Sequence, residues 1–293
     1  MFTYDSYHLP RTLREALELA ATLPADGKVI AGGTDIVTYA REGRGGDVHF
    51  PVLLDVSKVA EFQGYAIENG RARLNAALPY QAFLEDPVLR ENLPCMPGCA
   101  IWFADDQIRE QATLAGNLVN ASPAGDGAPP MMALNAEVEL ARLSGGEVTT
   151  RRLPLGEFIT GPGRTVLEPG ELVTAVICDA LPGYGGSFQK VGQRRSLVIS
   201  RVCSASLVKL DPTRHVFEDV RLALGGIAPV PLRLHDIEEM LRGKKITRRL
   251  VAEASVIPAD RVASRTRVEY RRHVVRGFVE AAIEDALVAC GAP

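Results

Sequence analysis

With 293 residues, of which 46% are apolar and 24% charged, the sequence is long enough for two or three modest domains and has the composition of an ordinary globular protein. A formal net charge of −3 argues against a nucleic-acid or anionic-membrane partner, and no apolar run approaches the ~20 residues of a membrane span. The amino terminus lacks a secretory pattern, so a cytoplasmic chain is expected. The cysteines at 95, 99, 178, 203 and 290 are odd in number and scattered, which suits free thiols in a reducing compartment. Cys95 and Cys99 have no further pair or nearby histidine to complete four ligands, so no metal site is expected on this chain.

In chain order, Thr12 and Glu15 form a capping-box pattern, and Leu13, Ala16, Leu17 and Ala20 repeat at helical spacing. This predicts a first helix ending near 24–27. The stretch VIAGGTDI (29–36) reads as strand, bare turn and helix start, with a short helix at 34–41 and a polar, glycine-rich loop at 42–47. Strand-like PVLLDV (51–56) follows, and then a hairpin of 65–67 and 73–77 around the turn residues 68–70. Helices are expected at 80–84 and 96–103, the second leading to a loop of small residues at 113–126. The segments 137–143 and 147–153 alternate as a second hairpin, 155–164 reads as a loop anchored by Phe158, and 171–177 is a β-run.

The run Pro182, Gly183, Tyr184, Gly185, Gly186 joins a helix breaker to flexible residues and marks the clearest domain boundary. Beyond it, 187–191, 199–210 and 217–224 read as three antiparallel strands, the last two joined by a turn at 211–213. Helices are expected at 232–241, 248–254 and 267–289. In the last, Val275, Phe278, Val279, Ala282, Ile283 and Ala286 keep one apolar stripe. Strands followed by segregated helices give an α+β layer. The arginines at 265, 267, 271, 272 and 276 read as a solvated helix face, with a patch for an acidic partner as the alternative.

Two stretches carry the chemistry. At 29–36 the glycines let a phosphate approach the main chain, and the first helical turn beyond them offers N–H donors without any cationic side chain. By itself such a corner is more often a plain tight connection than a ligand site. The second stretch, TLAGNLVNASPAGD (113–126), sets Asn117, Asn120, Ser122 and Asp126 among small residues, a combination suited to sugar hydroxyls and ring amides.

Taken with QIR (107–109), GPGRTVLEPGEL (161–172), FQKVGQRRSLVIS (188–200) and LALGGIAPVPLR (222–233), these stretches resemble, in order and over most of the chain, the FAD-binding subunits of the molybdenum hydroxylases. That is the family of xanthine dehydrogenase and carbon monoxide dehydrogenase. The resemblance implies a bipartite, PCMH-type FAD-binding part made of two α/β subdomains, 1–55 and 56–180, and a C-terminal α+β domain, 181–293, with a three-stranded antiparallel sheet and helices. It further implies that Val29, Ile30, Ala31, Gly32, Gly33, Thr34, Asp35 and Ile36 run along the FAD pyrophosphate, with Lys28 adjacent. Thr113, Gly116, Asn117 and Asp126 take binding roles, Phe103 is a ring contact, Lys190 lies near the flavin ring, and Val173 matches a backbone contact to the ring. Asp35, a carboxylate beside a diphosphate, is expected to turn toward backbone N–H groups of its own turn, either as part of the site or as a plain helix cap.

The function that follows is an electron-transfer subunit. Molybdopterin on a large partner subunit and 2Fe-2S clusters on a small one would feed electrons to FAD, and FAD would pass them to NAD or another acceptor. No residue of this chain would act as acid or base on the substrate. Departures from the family pattern at Asp105, Glu110 and Ala115 motivate one rival, a flavin-free scaffold subunit. The other rival is a self-contained flavin oxidase of small alcohols or phenols, for which the histidines at 8, 49, 215, 235 and 273 sit in no motif suited to tethering a flavin.

Overall fold

The computed structural model describes residues 2–41, 48–194, 197–264 and 266–292. The expected loop at 42–47, Arg195 and Ser196 of the 188–200 motif, and Arg265 lie outside the described residues.

The first unit is a three-stranded parallel sheet of β1 (Phe2–His8), β2 (Lys28–Ile30) and β3 (Val48–Asp55), in the order β1-β3-β2. Parallel neighbours need crossovers, which are α1 (Leu13–Ala21) and α2 (Thr34–Arg41). The capping box forms as expected: Thr12 caps the Glu15 N–H and the Glu15 side chain returns to the Thr12 N–H. Ala16, Leu17 and Ala20 are buried. The strand β1 was not expected from sequence. Thr3, Asp5 and Tyr7 make an exposed face and Phe2, Tyr4, Ser6 and His8 a face that is only partly covered, so FTYDSYH carries no buried apolar alternation.

The second unit is an antiparallel sheet ordered β4-β5-β10-β6-β7. It comprises β4 (Tyr65–Glu68), β5 (Arg71–Asn75), β6 (Glu137–Ser144), β7 (Glu147–Pro154) and, after the small hairpin β8 (Ile159–Gly161) and β9 (Arg164–Thr165), β10 (Leu172–Asp179). Between β5 and β6 the chain makes α3 (Ala82–Glu85), α4 (Pro87–Asn92), α5 (Met96–Trp102), α6 (Asp106–Arg109), α7 (Leu114–Asn120) and α8 (Ala128–Ala133). Two readings are corrected here. The stretch 113–126 is not all loop, because Thr113 caps the helix α7. The stretch 155–164 holds α9 (Leu155–Phe158) and most of the hairpin, although Phe158 is fully buried, as an anchor should be.

The third unit carries four strands rather than three. β11 (Gly185–Val191), β12 (Val202–Leu210) and β13 (Phe217–Gly225) are joined by β14 (Leu232–Arg233), which takes the first residues of the predicted helix at 232–241. Pro229 and Pro231 set off this two-residue strand, too short to show a period. The helices α10 (His235–Leu241), α11 (Arg248–Val256) and α12 (Val268–Ala289) follow.

The alternation of β12 explains how the third unit is held. Cys203, Ala205 and Leu207 join the core shared with α5 and α8, while Val202 and Val208 face α12 through a second core with Val275, Val279 and Ile283. A sheet covered on both faces is buried along its central strands, and β12 is buried at every position but Lys209, including Ser204 and Ser206. Polar ties reinforce this junction: Asp179 accepts from Arg71, Arg221 and Asn135.

Candidate functional site

β2 ends at Ile30, and the chain turns through Ala31, Gly32 and Gly33 into α2. Gly33 takes φ +67°, and a Cβ on Gly32 would lie 2.0 Å from the Gln111 carbonyl oxygen. The first glycine corner therefore rests directly on the backbone of the second segment. No residue with a side chain fits at Gly32 unless the two separate. The first intrahelical bond of α2 runs from the Val37 N–H to the Gly33 carbonyl at 3.0 Å. The N–H groups of Thr34, Asp35 and Ile36 precede it and have no helical partner.

The second segment is built by helix capping. Asp105 accepts the Ile108 N–H at 2.9 Å and starts α6, which leads through Gln111 and Ala112 to Thr113. Thr113 Oγ1 accepts the Gly116 N–H at 3.0 Å, and a Cβ on Gly116 would crowd that oxygen at 2.8 Å. Asn117 Oδ1 accepts the Tyr80 hydroxyl and the Gly127 N–H, each at 3.1 Å. The Phe103 ring stacks on Tyr80, centroids 3.9 Å apart and planes 1° from parallel. Arg109, itself buried, donates to the Phe103 carbonyl at 2.9 Å and to Gln81 Oε1 at 3.1 Å, and pairs with Asp106. The arginine of QIR thus holds the backbone that presents Phe103.

Both corners open onto one cavity of about 540 Å³, lined by residues 28–36, Phe103, Thr113, Gly116 and Asn117. Thirteen of the sixteen residues expected at the site meet there. Asn120, one of the polar residues picked out in the second stretch, also lines it, as do Val48, Phe50, Ala112, Val119 and Gly163, which were not foreseen. Val48 and Phe50 precede the strand expected at 51–56, and the sequence assigned them no element or role. A larger cleft of about 650 Å³ lies elsewhere, but its cationic side chains are already engaged, Arg71 by Asp179 and Glu137 and Arg233 by Glu238.

Three expected residues do not line the cavity. Asp126 Oδ2 accepts from Lys190 Nζ at 2.6 Å and Oδ1 from Ser200 Oγ at 2.5 Å, while Lys190 also donates to the Trp102 carbonyl at 3.2 Å. Both side chains are buried, at 8% and 2% exposure, and each serves as the other's counter-charge. Burial pushes the Asp126 carboxyl up, against the pull of the Lys190 ammonium. Val173 pairs with Leu140 in the sheet and packs on the main core.

Asp35 also departs from expectation. It lines the cavity, but among the described residues its carboxylate accepts no hydrogen bond from its own turn, and burial raises its pKa. The corner's N–H groups are consequently without a partner among the described residues. The three departures that motivated a scaffold role sit outside the cavity: Asp105 caps α6, Glu110 is exposed at its end, and Ala115 is buried in the core. Among the described residues no group of metal-ligand side chains converges, and no helix is long and apolar enough to cross a membrane.

Comparison with known proteins matches two families along the chain. Residues 1–178 match the FAD binding domain in molybdopterin dehydrogenase, and residues 187–286 the CO dehydrogenase flavoprotein C-terminal domain. The xanthine dehydrogenase FAD-binding subunit of Escherichia coli O157:H7 is 30% identical over 99% of both chains. The nicotinate dehydrogenase FAD-subunit of Eubacterium barkeri is 30% identical, over 96% of this chain and 95% of that one. A chain of the carbon monoxide dehydrogenase of Hydrogenophaga pseudoflava superposes with a TM-score of 0.88 over 97% of this chain and 98% of its own, at 23% identity.

Proposed function

This chain belongs to the family of FAD-binding subunits of the molybdopterin dehydrogenases, and from that premise we propose that it holds FAD in the cavity between its two corners and relays electrons. They would arrive from 2Fe-2S clusters on a small partner subunit, fed by molybdopterin on a large one, and leave to NAD or another acceptor. The observation that carries this reading is the meeting of residues 28–36 with Thr113, Gly116 and Asn117 on one cavity. We keep 1–55, 56–180 and 181–293 as its working domain division.

The residues present fit the cofactor. A bare corner at Gly32 and Gly33, with three helical N–H groups at Thr34, Asp35 and Ile36 that have no partner among the described residues, offers a diphosphate neutral donors that need no reorganisation. Phe103, backed by Tyr80 and held by Arg109, offers a ring face. Asn117 Oδ1 is engaged by Tyr80 and Gly127, which orients its amide nitrogen, while Asn120 adds a polar group to the wall. The Lys190–Asp126 pair supports the loop after α7 from behind. When bound, FAD supplies the redox chemistry by accepting electrons singly or in pairs. The protein's part is to bind, orient and shield it.

The test uses the intact complex. Reduced anaerobically with its substrate, the flavin-depleted complex should still reduce its clusters yet fail to reduce the acceptor, and added FAD should restore acceptor reduction. Undiminished acceptor reduction without flavin would overturn the reading.

A further inference from the structure

The longest helix leaves one face open to solvent. α12 buries Val275, Val279, Ala282, Ile283 and Ala286 against the C-terminal sheet and α11. At 3.6 residues per turn its opposite side carries Tyr270, His273, Gly277, Ala281, Glu284 and Val288 in one stripe. All but Ala281 are exposed, and among them Val288 at 77% and Tyr270 at 42% are large hydrophobic groups left in water.

Two features of this face do not serve the stability of the helix itself. Gly277 stands in the interior of 22 residues, where glycine weakens a helix. A Cβ there would meet nothing within 4 Å, so no described neighbour requires its small size. The charges are also ordered against the helix dipole, with Arg272 and Arg276 in the N-terminal half and Glu280, Glu284 and Asp285 in the C-terminal half. Glu269 in the first turn is the exception and pairs with Arg272 at 2.9 Å. Arg276, Glu280 and Glu284 have no ion-pair partner among the described residues. His273 donates from Nδ1 to the Glu269 carbonyl at 2.9 Å, which leaves Nε2 for a second partner.

The stripe is complementary to itself when turned end for end. Tyr270 and Val288, His273 and Glu284, Gly277 and Ala281, and Arg276 and Glu280 are each placed symmetrically about residues 278–279. A two-fold axis crossing the helix there sets each member of a pair against the other member in a second copy. The two small residues then meet at the crossing, where helix backbones come closest. Tyr270 and Val288 cover each other at both ends, and Arg276 and Glu280, on the same flank of the stripe, form two equivalent ion pairs. A uniformly acidic partner would satisfy Arg276 but oppose Glu280 and Glu284, and a uniformly basic one would do the reverse.

We propose that the outer face of α12 is a self-association surface, on which a second copy of this chain docks with its own α12 antiparallel. The pairing needs no cofactor. One helix pair is smaller than a standard protein interface, so the dimer is weak and depends on concentration.

Sedimentation of the full-length chain between about 1 and 300 μM follows the dimer, and thermal unfolding of each variant checks its fold. Arg276→Glu and Glu280→Arg should each weaken self-association at least about tenfold, because like charges then meet across the two-fold axis. Their equimolar mixture should associate again, since each variant presents to the other the opposite charge at both positions. Gly277→Gln should raise the unfolding temperature of the dilute monomer yet weaken the dimer at least about tenfold by blocking the close approach. A wild type that stays monomeric throughout, a dimer that both reversals leave intact, or reversal variants that remain monomeric when mixed would overturn the proposal.

Discussion

Lys190 and Asp126 neutralise each other inside the protein, and changing either alone leaves a charge buried without its partner. Lys190→Met is expected to cost about 3–5 kcal/mol of folding free energy, and the double variant Lys190→Met/Asp126→Asn distinctly less. Without the ammonium, the burial that raises the Asp126 pKa is opposed only by the Ser200 hydroxyl. Its raised folded value means that stability is lost as pH rises and recovers on acidification. Urea unfolding of the single variant at increasing pH above the ordinary carboxyl value of 3.8 measures this slope. At Gly32 the expected loss is of binding, because an added methyl would meet the Gln111 carbonyl at 2.0 Å and push the corners apart. Gly32→Ala should weaken FAD at least tenfold, or about 1.4 kcal/mol, in a flavin fluorescence titration. Both corners were legible in the sequence because clustered small residues are a local signal. The pairing of Asp126 with Lys190, 64 residues away, has no local sign, and so both were read as ligands of the cofactor. Asp35 was misread for a related reason. A carboxylate at a helix start usually caps it, and only the fold shows that this one faces a cavity.

At the level of elements, Glu139 ties the five-stranded sheet together. From β6 its carboxylate accepts from Arg73 on β5, Thr174 on β10 and Arg152 on β7. Burial raises its pKa, yet these bonds outweigh burial and hold it at about 2, below its ordinary 4.5. A depressed carboxylate contributes stability above the ordinary value and loses it as pH falls toward the folded one. Glu139→Gln should therefore cost about 1–3 kcal/mol near neutrality, with the difference from wild type closing below about pH 4 in parallel unfolding titrations. The elements that were legible have strong periods or caps: α1 with its capping box, the hairpin of β6 and β7, and the stripe of α12. Those missed lack a period. β1 has no fully buried residue on either face, β14 has two residues, and α7 carries Gly116 and two asparagines, whose weak helix propensity is offset by the Thr113 cap.

For the whole molecule, order along the chain was more informative than any one motif. A parallel βαβ unit, an antiparallel sheet with helices inserted between β5 and β6, and a covered C-terminal sheet bring together two corners about eighty residues apart in sequence. Their contact at Gly32 and Gln111 is a tertiary fact that sequence could suggest only through resemblance. The C-terminal unit supports this arrangement from outside, with Gly186 against the Pro94 backbone and Phe188 against Gly98, so the floor of α5 is pinned by β11. The most direct test of the central claim is an equilibrium titration of the full-length chain with FAD, followed by flavin fluorescence. Saturation at one FAD per chain, lost or strongly weakened in Gly32→Ala, is the predicted result. Absence of saturable binding, or binding indifferent to that methyl group, would contradict it.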